Sequence, residues 1–114
     1  MEVRTETAHG AIVYRIRGQL DASTGPTLSS ALARNEDSSR VILDMREVTY
    51  ISSAGLRVIV QAAKRAEAAK GGVAIFGLQT LVREVFDVSG LGKIVPIASD
   101  ESEARSKLGV REQS

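Results

Sequence analysis

The sequence predicts an α/β domain on a mixed sheet, with an N-terminal antiparallel hairpin, a central parallel βαβ unit and about four helices. Three observations carry this prediction. At 11–17, Ile12, Tyr14 and Ile16 alternate with Val13, Arg15 and Arg17, the period-two pattern of a strand. "VILDM" (41–45) and "VAIFG" (73–77) are short apolar runs, typical of strands covered on both faces. Between them, 54–70 shows helical spacing, so strand, helix and strand follow within about 35 residues, and such a crossover makes the two strands parallel.

The elements follow in order. Residues 2–7 and 11–17 read as strands joined at His9-Gly10, a short connection suited to a hairpin, and Gly18 is expected to end the second. "DASTGPTLSSALA" starts a helix: Ser23 or Thr24 can cap it, Pro26 fits its first turn, and Leu28, Ala31 and Leu32 make the inward stripe. The polar stretch 35–39 reads as a loop. In the 54–70 helix Leu56, Ile59, Val60 and Ala63 share one face, and Gly71-Gly72 stops it. A helix at 79–88 carries Leu81, Val82, Val85 and Phe86 and ends at Ser89-Gly90. "KIVPI" (93–97) reads as a short strand whose Pro96 suggests an edge or a strand end. A last helix begins at Ser99 or Asp100, with acids in its first turn, and the tail 110–114 is expected to fray.

With 114 residues, the chain is expected to form a single domain, 1–114, with one modest core. Its four aromatic rings, Tyr14, Tyr50, Phe76 and Phe86, leave that core to Val, Ile, Leu and Ala. Fifteen basic residues against fourteen acidic ones, with no run of like charge, argue against a nucleic-acid footprint or a polybasic membrane patch. The absence of cysteine excludes disulfides, thiolate catalysis and Cys-based zinc sites. The polar start MEVRTETAHG is no signal peptide and no apolar run reaches 18 residues, so a cytoplasmic protein without direct membrane insertion is expected.

"YISSAGLRVI" (50–59) is the chemically informative stretch. Ser52 and Ser53 fall where a strand gives way to a helix, the edge of an α/β sheet where ligands tend to sit. Ser53 can serve as a helix cap, but a cap explains one serine, not two, nor Gly55, since glycine fits where something approaches the backbone closely. A catalytic serine needs a base, and the only histidine, His9, sits in a hairpin turn, while Ile51 occupies the first-glycine position of a G-x-S-x-G elbow. A serine that accepts phosphate fits better, because helix N-terminal amides welcome an anion and the modification adds charge without unfolding the domain.

At these residues the chain resembles the STAS family, the sulfate transporter and anti-sigma factor antagonist domains, and within it the stand-alone bacterial anti-anti-sigma factors. The resemblance covers nearly the whole chain through "IRGQLDAST" (16–24), "VILDMREVTYISSAGLRVIV" (41–60) and "LVREVFDVSGLGKIVPI" (81–97). It implies a non-enzymatic binding module with a phosphorylated serine just before its signature helix. Ser53 matches that acceptor, with Ser52 as the alternative because it stands where many members carry Asp; Ala54, Gly55 and Leu56 match the residues that follow. The implied partner surface comprises Asp21, Ser23 and Thr24 with Ser52, Ser53, Ala54, Gly55, Leu56 and Arg57. Asp21 also suits a plain turn, its functional alternative being partner recognition and orientation of the acceptor hydroxyl; Asp44 suits a structural role, bonding loop amides.

By the same resemblance the partners are an anti-sigma factor with serine kinase activity, which brings ATP and Mg²⁺, and a serine phosphatase; the domain itself needs no cofactor or metal. Two other functions stay open. One is a STAS subunit regulating a transporter or signalling assembly. The other is a small-ligand or nucleotide binder at the same helix start, disfavoured because "GLGK" (90–93) lacks the rest of a P-loop and follows a helix.

Overall fold

The hairpin forms as the turn chemistry requires. His9 and Gly10 both take positive φ, 51° and 80°, the pair a two-residue type I′ turn needs. In the computed structural model, which describes residues 1–34 and 39–109, this turn joins β1 (Glu2–Ala8) to β2 (Ala11–Leu20) in antiparallel register. The chain continues through α1 (Gly25–Ala33), β3 (Arg40–Ile51), α2 (Ser53–Ala68), β4 (Gly72–Phe76), α3 (Thr80–Ser89), a 3-10 turn (Leu91–Lys93), β5 (Ile97–Ala98) and α4 (Glu101–Lys107). The sheet runs in chain order, β1 to β5, and every pairing after the first is parallel. This is the expected mixed α/β architecture.

Alternation along the strands divides the interior in two. Ile12, Tyr14 and Ile16 of β2, Leu43 and Met45 of β3 and Ile75 of β4 face the larger core, closed by Leu28 and Leu32 of α1, Ile59 and Ala63 of α2, and Val82 and Phe86 of α3. Val13, Ile42, Ala74 and Phe76 face the other way, against Ala104 and Leu108 around α4. The central strands are thus covered on both faces, as parallel strands require.

Four local expectations need correction. Gly18 does not end β2: it takes φ 109° and the strand runs on to Leu20. β3 does not stop at residue 45 but reaches Ile51, because two register shifts against β2 insert extra residues; beyond Met45 only Val48 and Ile51 are buried, a spacing that hides the strand from a period-two reading. Residues 93–97 are not a strand: the 3-10 turn ends at Lys93, Val95 plugs the core, and pairing begins only at Ile97, just past Pro96, on the sheet edge. α2 ends at Ala68, with Lys70 in the left-handed region at φ 65° before the two glycines. Ser39 is a bend, while the rest of the expected loop (35–38) and the tail (110–114) lie outside the described residues.

α4 is capped by Asp100, whose carboxylate accepts the Glu103 amide at 2.8 Å, while the Glu103 carboxylate accepts the Ser99 amide at 2.8 Å.

Candidate functional site

The two serines do different jobs. Ser52 is the N-cap of α2: its backbone is extended (φ −104°, ψ 175°) and its Oγ accepts the Gly55 amide at 3.3 Å. Its own N–H donates to the Leu20 carbonyl at 3.0 Å, which ties the helix start to the end of β2. Ser53 is the first helical residue. Its side chain is exposed, and its hydroxyl makes no hydrogen bond among the described residues. The cap therefore falls on Ser52, not on Ser53 as the sequence suggests, because α2 begins at Ser53 rather than at residue 54, and Ser53 is left facing solvent.

Gly55 answers its own question. It is buried, and a Cβ built on it would lie 2.6 Å from the Leu20 carbonyl oxygen and 2.9 Å from both Leu20 Cγ and Ile51 Cγ1. What approaches this backbone is the protein's own β2 end, so Gly55 supports the surface from beneath rather than forming part of it. Ala54 and Leu56 are half-buried and Arg57 is exposed, one turn beyond Ser53. No acidic residue occupies the first turn of α2, so the positive end of its helix dipole has no carboxylate of its own there.

The loop between β2 and α1 lies alongside. The Asp21 Oδ1 accepts the Ser23 hydroxyl at 2.8 Å, the Ser23 amide at 3.0 Å and the Thr24 amide at 3.1 Å. These bonds, the Ser23 hydroxyl first and the Thr24 amide next, hold the Asp21 carboxyl below the usual carboxylate range. Thr24 Oγ1 accepts the Asp21 amide at 2.9 Å and donates to the Gln19 carbonyl at 2.8 Å, so it braces the loop and does not cap α1 with its side chain. Asp21 thus builds its own turn; its oxygen bonds Ser23 and Thr24, not Ser53. Asp21, Gly25, Ala54, Arg57 and Val58 line a groove of mixed polarity, about 500 Å³, between α1 and α2.

A second groove, of about 590 Å³, opens on the other side of Ser53 between the end of β3, the start of α2 and α3. Sequence reading missed it. Tyr50, Leu81 and Val88 on its walls are 50%, 70% and 89% exposed. The available signal was the apolar excess of α3: Val82 and Phe86 are buried in the core and Val85 is half-buried against it, so Leu81 and Val88, at i and i+7 with Val85 between them, extend the stripe outward.

Asp44 sits on the α4 side of the sheet, 5% exposed, and is structural. It accepts the Arg46 amide and Nε, at 3.1 and 3.0 Å, on Oδ1, and Arg15 Nη1 and Arg46 Nη2, both at 2.9 Å, on Oδ2. Burial pushes its carboxyl up, but the Arg46 and Arg15 bonds outweigh burial and leave it lowered. Arg15 also pairs with Glu6 and Glu101, and Glu101 with the buried Arg105, so one network joins β1, β2, β3 and α4. His9 lies in the hairpin turn, at the opposite end of the ten-residue β2 and so roughly 30 Å along the sheet from the serines. Among the described residues no cluster of three or more His, Asp or Glu could hold a metal ion, and no helix is long and apolar enough to cross a membrane.

Comparison with known proteins adds independent findings. The family model for the STAS domain matches residues 2–104. BtrV of Bordetella bronchiseptica is 33% identical over 106 residues, 91% of each chain. The anti-sigma-B factor antagonist of Listeria monocytogenes is 32% identical over 90 residues, 77% of this chain and 79% of its own. Among solved structures, the anti-sigma factor antagonist SpoIIAA in its unphosphorylated form superposes with a TM-score of 0.80 at 20% identity, covering 97% of this chain and 100% of its own. The phosphorylated form of the Bacillus cell fate determinant SpoIIAA gives 0.71 at 21% identity, over 93% and 98%. At that identity the structural likeness establishes the fold.

Proposed function

The chain belongs to the STAS domain family, and from that premise we propose that it is an anti-sigma factor antagonist whose docking is switched by phosphorylation of Ser53. One observation carries the choice of residue: of the two serines at the start of α2, Ser52 is committed to the cap and Ser53 offers an exposed, unbonded hydroxyl.

Unmodified, the surface made by the 21–24 loop and the first turn of α2 docks on an anti-sigma factor and draws it away from its sigma factor. The anti-sigma factor is a serine kinase that brings its own ATP and Mg²⁺. The Ser53 Oγ attacks the γ-phosphorus, the bond to ADP breaks, and the hydroxyl proton passes to a base on the kinase. The product carries about −1.5 to −2 charges at one surface point, enough to disrupt a desolvated contact while the helix N-terminus tolerates the anion. A serine phosphatase hydrolyses the ester and restores docking. The domain binds and is modified; it catalyses nothing.

Incubation with the kinase and radiolabelled ATP tests the assignment. Ser53→Ala abolishes labelling and keeps binding, Ser53→Asp weakens binding, and Ser52→Ala is still labelled. Undiminished labelling of Ser53→Ala moves the acceptor to Ser52 and removes the basis of the proposal.

A further inference from the structure

The groove beside Ser53 shares only Ser53 and Leu56 with the docking surface described above; the rest of its lining, from β3 and α3, is outside that surface. Its walls are the apolar stripe Leu81, Val85 and Val88 of α3, facing Tyr50 at the end of β3 and Leu56 of α2. Two of the stripe residues are among the most exposed large apolar side chains described, and an apolar stripe at i, i+4 and i+7 is the pattern by which one helix receives another. Val85 leans on the core, but Leu81 and Val88 lie outside it, since Val82 and Phe86 already fill the inward face of α3.

We infer that this groove is the apolar half of the anti-sigma factor contact and seats an amphipathic helix of that protein, with a basic residue set against Glu84. The inference rests on the proposed function, because it extends the same docking surface. Two observations select the occupant. Ser53 itself lines the groove, so a body seated there is continuous with the surface that the phosphoryl group would alter. Glu84 is the sole charged residue in the lining, so complementarity calls for a cation. A second copy of this chain fits less well: two-fold pairing of the groove with itself brings Glu84 towards its own counterpart in an apolar seam and covers the hydroxyl that the kinase must reach.

The residues involved are exposed, so their replacement leaves the fold intact, which a melting temperature equal to that of the wild type checks. The probes are the host's own anti-sigma factors, each purified and titrated calorimetrically with the full chain; the tightest binder is carried forward. Leu81→Ser and Val88→Ser each weaken binding about 10-fold and the double variant about 100-fold, the scale of central apolar anchors. Glu84→Lys weakens binding about 5-fold and reduces its sensitivity to salt. A double variant that binds within about twofold of the wild type overturns the inference; if Ser53→Asp loses binding in the same series, the switch stands without the groove. Loss of binding in the double variant with Ser53→Asp unaffected upholds the groove and removes the switch. Failure of every host anti-sigma factor to bind the wild type overturns both. Sedimentation showing a wild-type dimer that the double variant abolishes also overturns the inference, giving the groove to a second copy.

Discussion

The two faces of the sheet handle polar and apolar groups in opposite ways. On the α4 side, Arg15 is held by Glu6, Asp44 and Glu101, Asp44 is shared with Arg46, and Arg105 closes on Glu101. Among the described residues no buried side-chain nitrogen or oxygen lacks a partner. Around the start of α2 the reverse holds: a hydroxyl faces solvent unbonded, the first turn has no acidic residue, and Leu81 and Val88 stand in water. Charge density therefore does not mark the candidate site in this molecule. The most elaborate ion network is internal bracing, while the region with unspent bonding capacity is sparsely charged.

Substitutions can break or sharpen that contrast. The largest effect is expected at Gly55→Ala. The added methyl meets a backbone carbonyl at 2.6 Å, and overpacking outweighs the gain in helix propensity by about 2–3 kcal/mol. Chemical denaturation measures it; unchanged stability would mean that the Leu20–Gly55 approach is not tight.

Arg15→Met comes next. It removes one partner of the nearly buried Asp44, but Arg46 remains and Arg15 is one-fifth exposed. The expected loss is about 2 kcal/mol, below the roughly 3–5 kcal/mol of a fully buried pair. The network also fixes a pH dependence. The folded-state pKa of Asp44 is lowered, so its contribution is present above the unfolded value of about 3.9 and fades as pH falls through the folded one. Urea titrations from pH 7 to pH 3 therefore show the wild type losing stability below about pH 4, and Arg15→Met losing less over the same window.

The smallest effects separate the serines. Ser52→Ala forfeits a cap and costs about 1 kcal/mol. Ser53→Ala changes stability by no more than about 0.5 kcal/mol, since the hydroxyl bonds nothing among the described residues. Equal costs in thermal melts would erase the division of labour on which the acceptor assignment rests.

Most of the fold is legible in the sequence because local patterns agree with it. Alternation marks β2, apolar runs mark the central strands, and His9-Gly10 marks the hairpin turn. The reading fails where geometry breaks the period. Two register shifts in β3 space Val48 and Ile51 three apart, and Val95 imitates a strand residue while plugging the core from a coil. The site is legible as a place but not in its parts. Either serine can cap, and a one-residue difference in where α2 begins decides which. Gly55 signals a close approach, but the sequence does not say that β2 is what approaches. The apolar groove stays hidden because the inner and outer stripes of α3 merge into one apolar run.

The shared carbonyl of Leu20 has a mechanical consequence. It receives the Ser52 amide and lies against Gly55, while the next residue, Asp21, opens the neighbouring turn, so no hinge separates the two loops. A modification on this rim has no lever to pull. Under the proposed switch, the message of a phosphorylated Ser53 would travel as an electric field across a stiff platform, legible only to a molecule already in contact, and resetting would require removal of an ester rather than refolding of a chain.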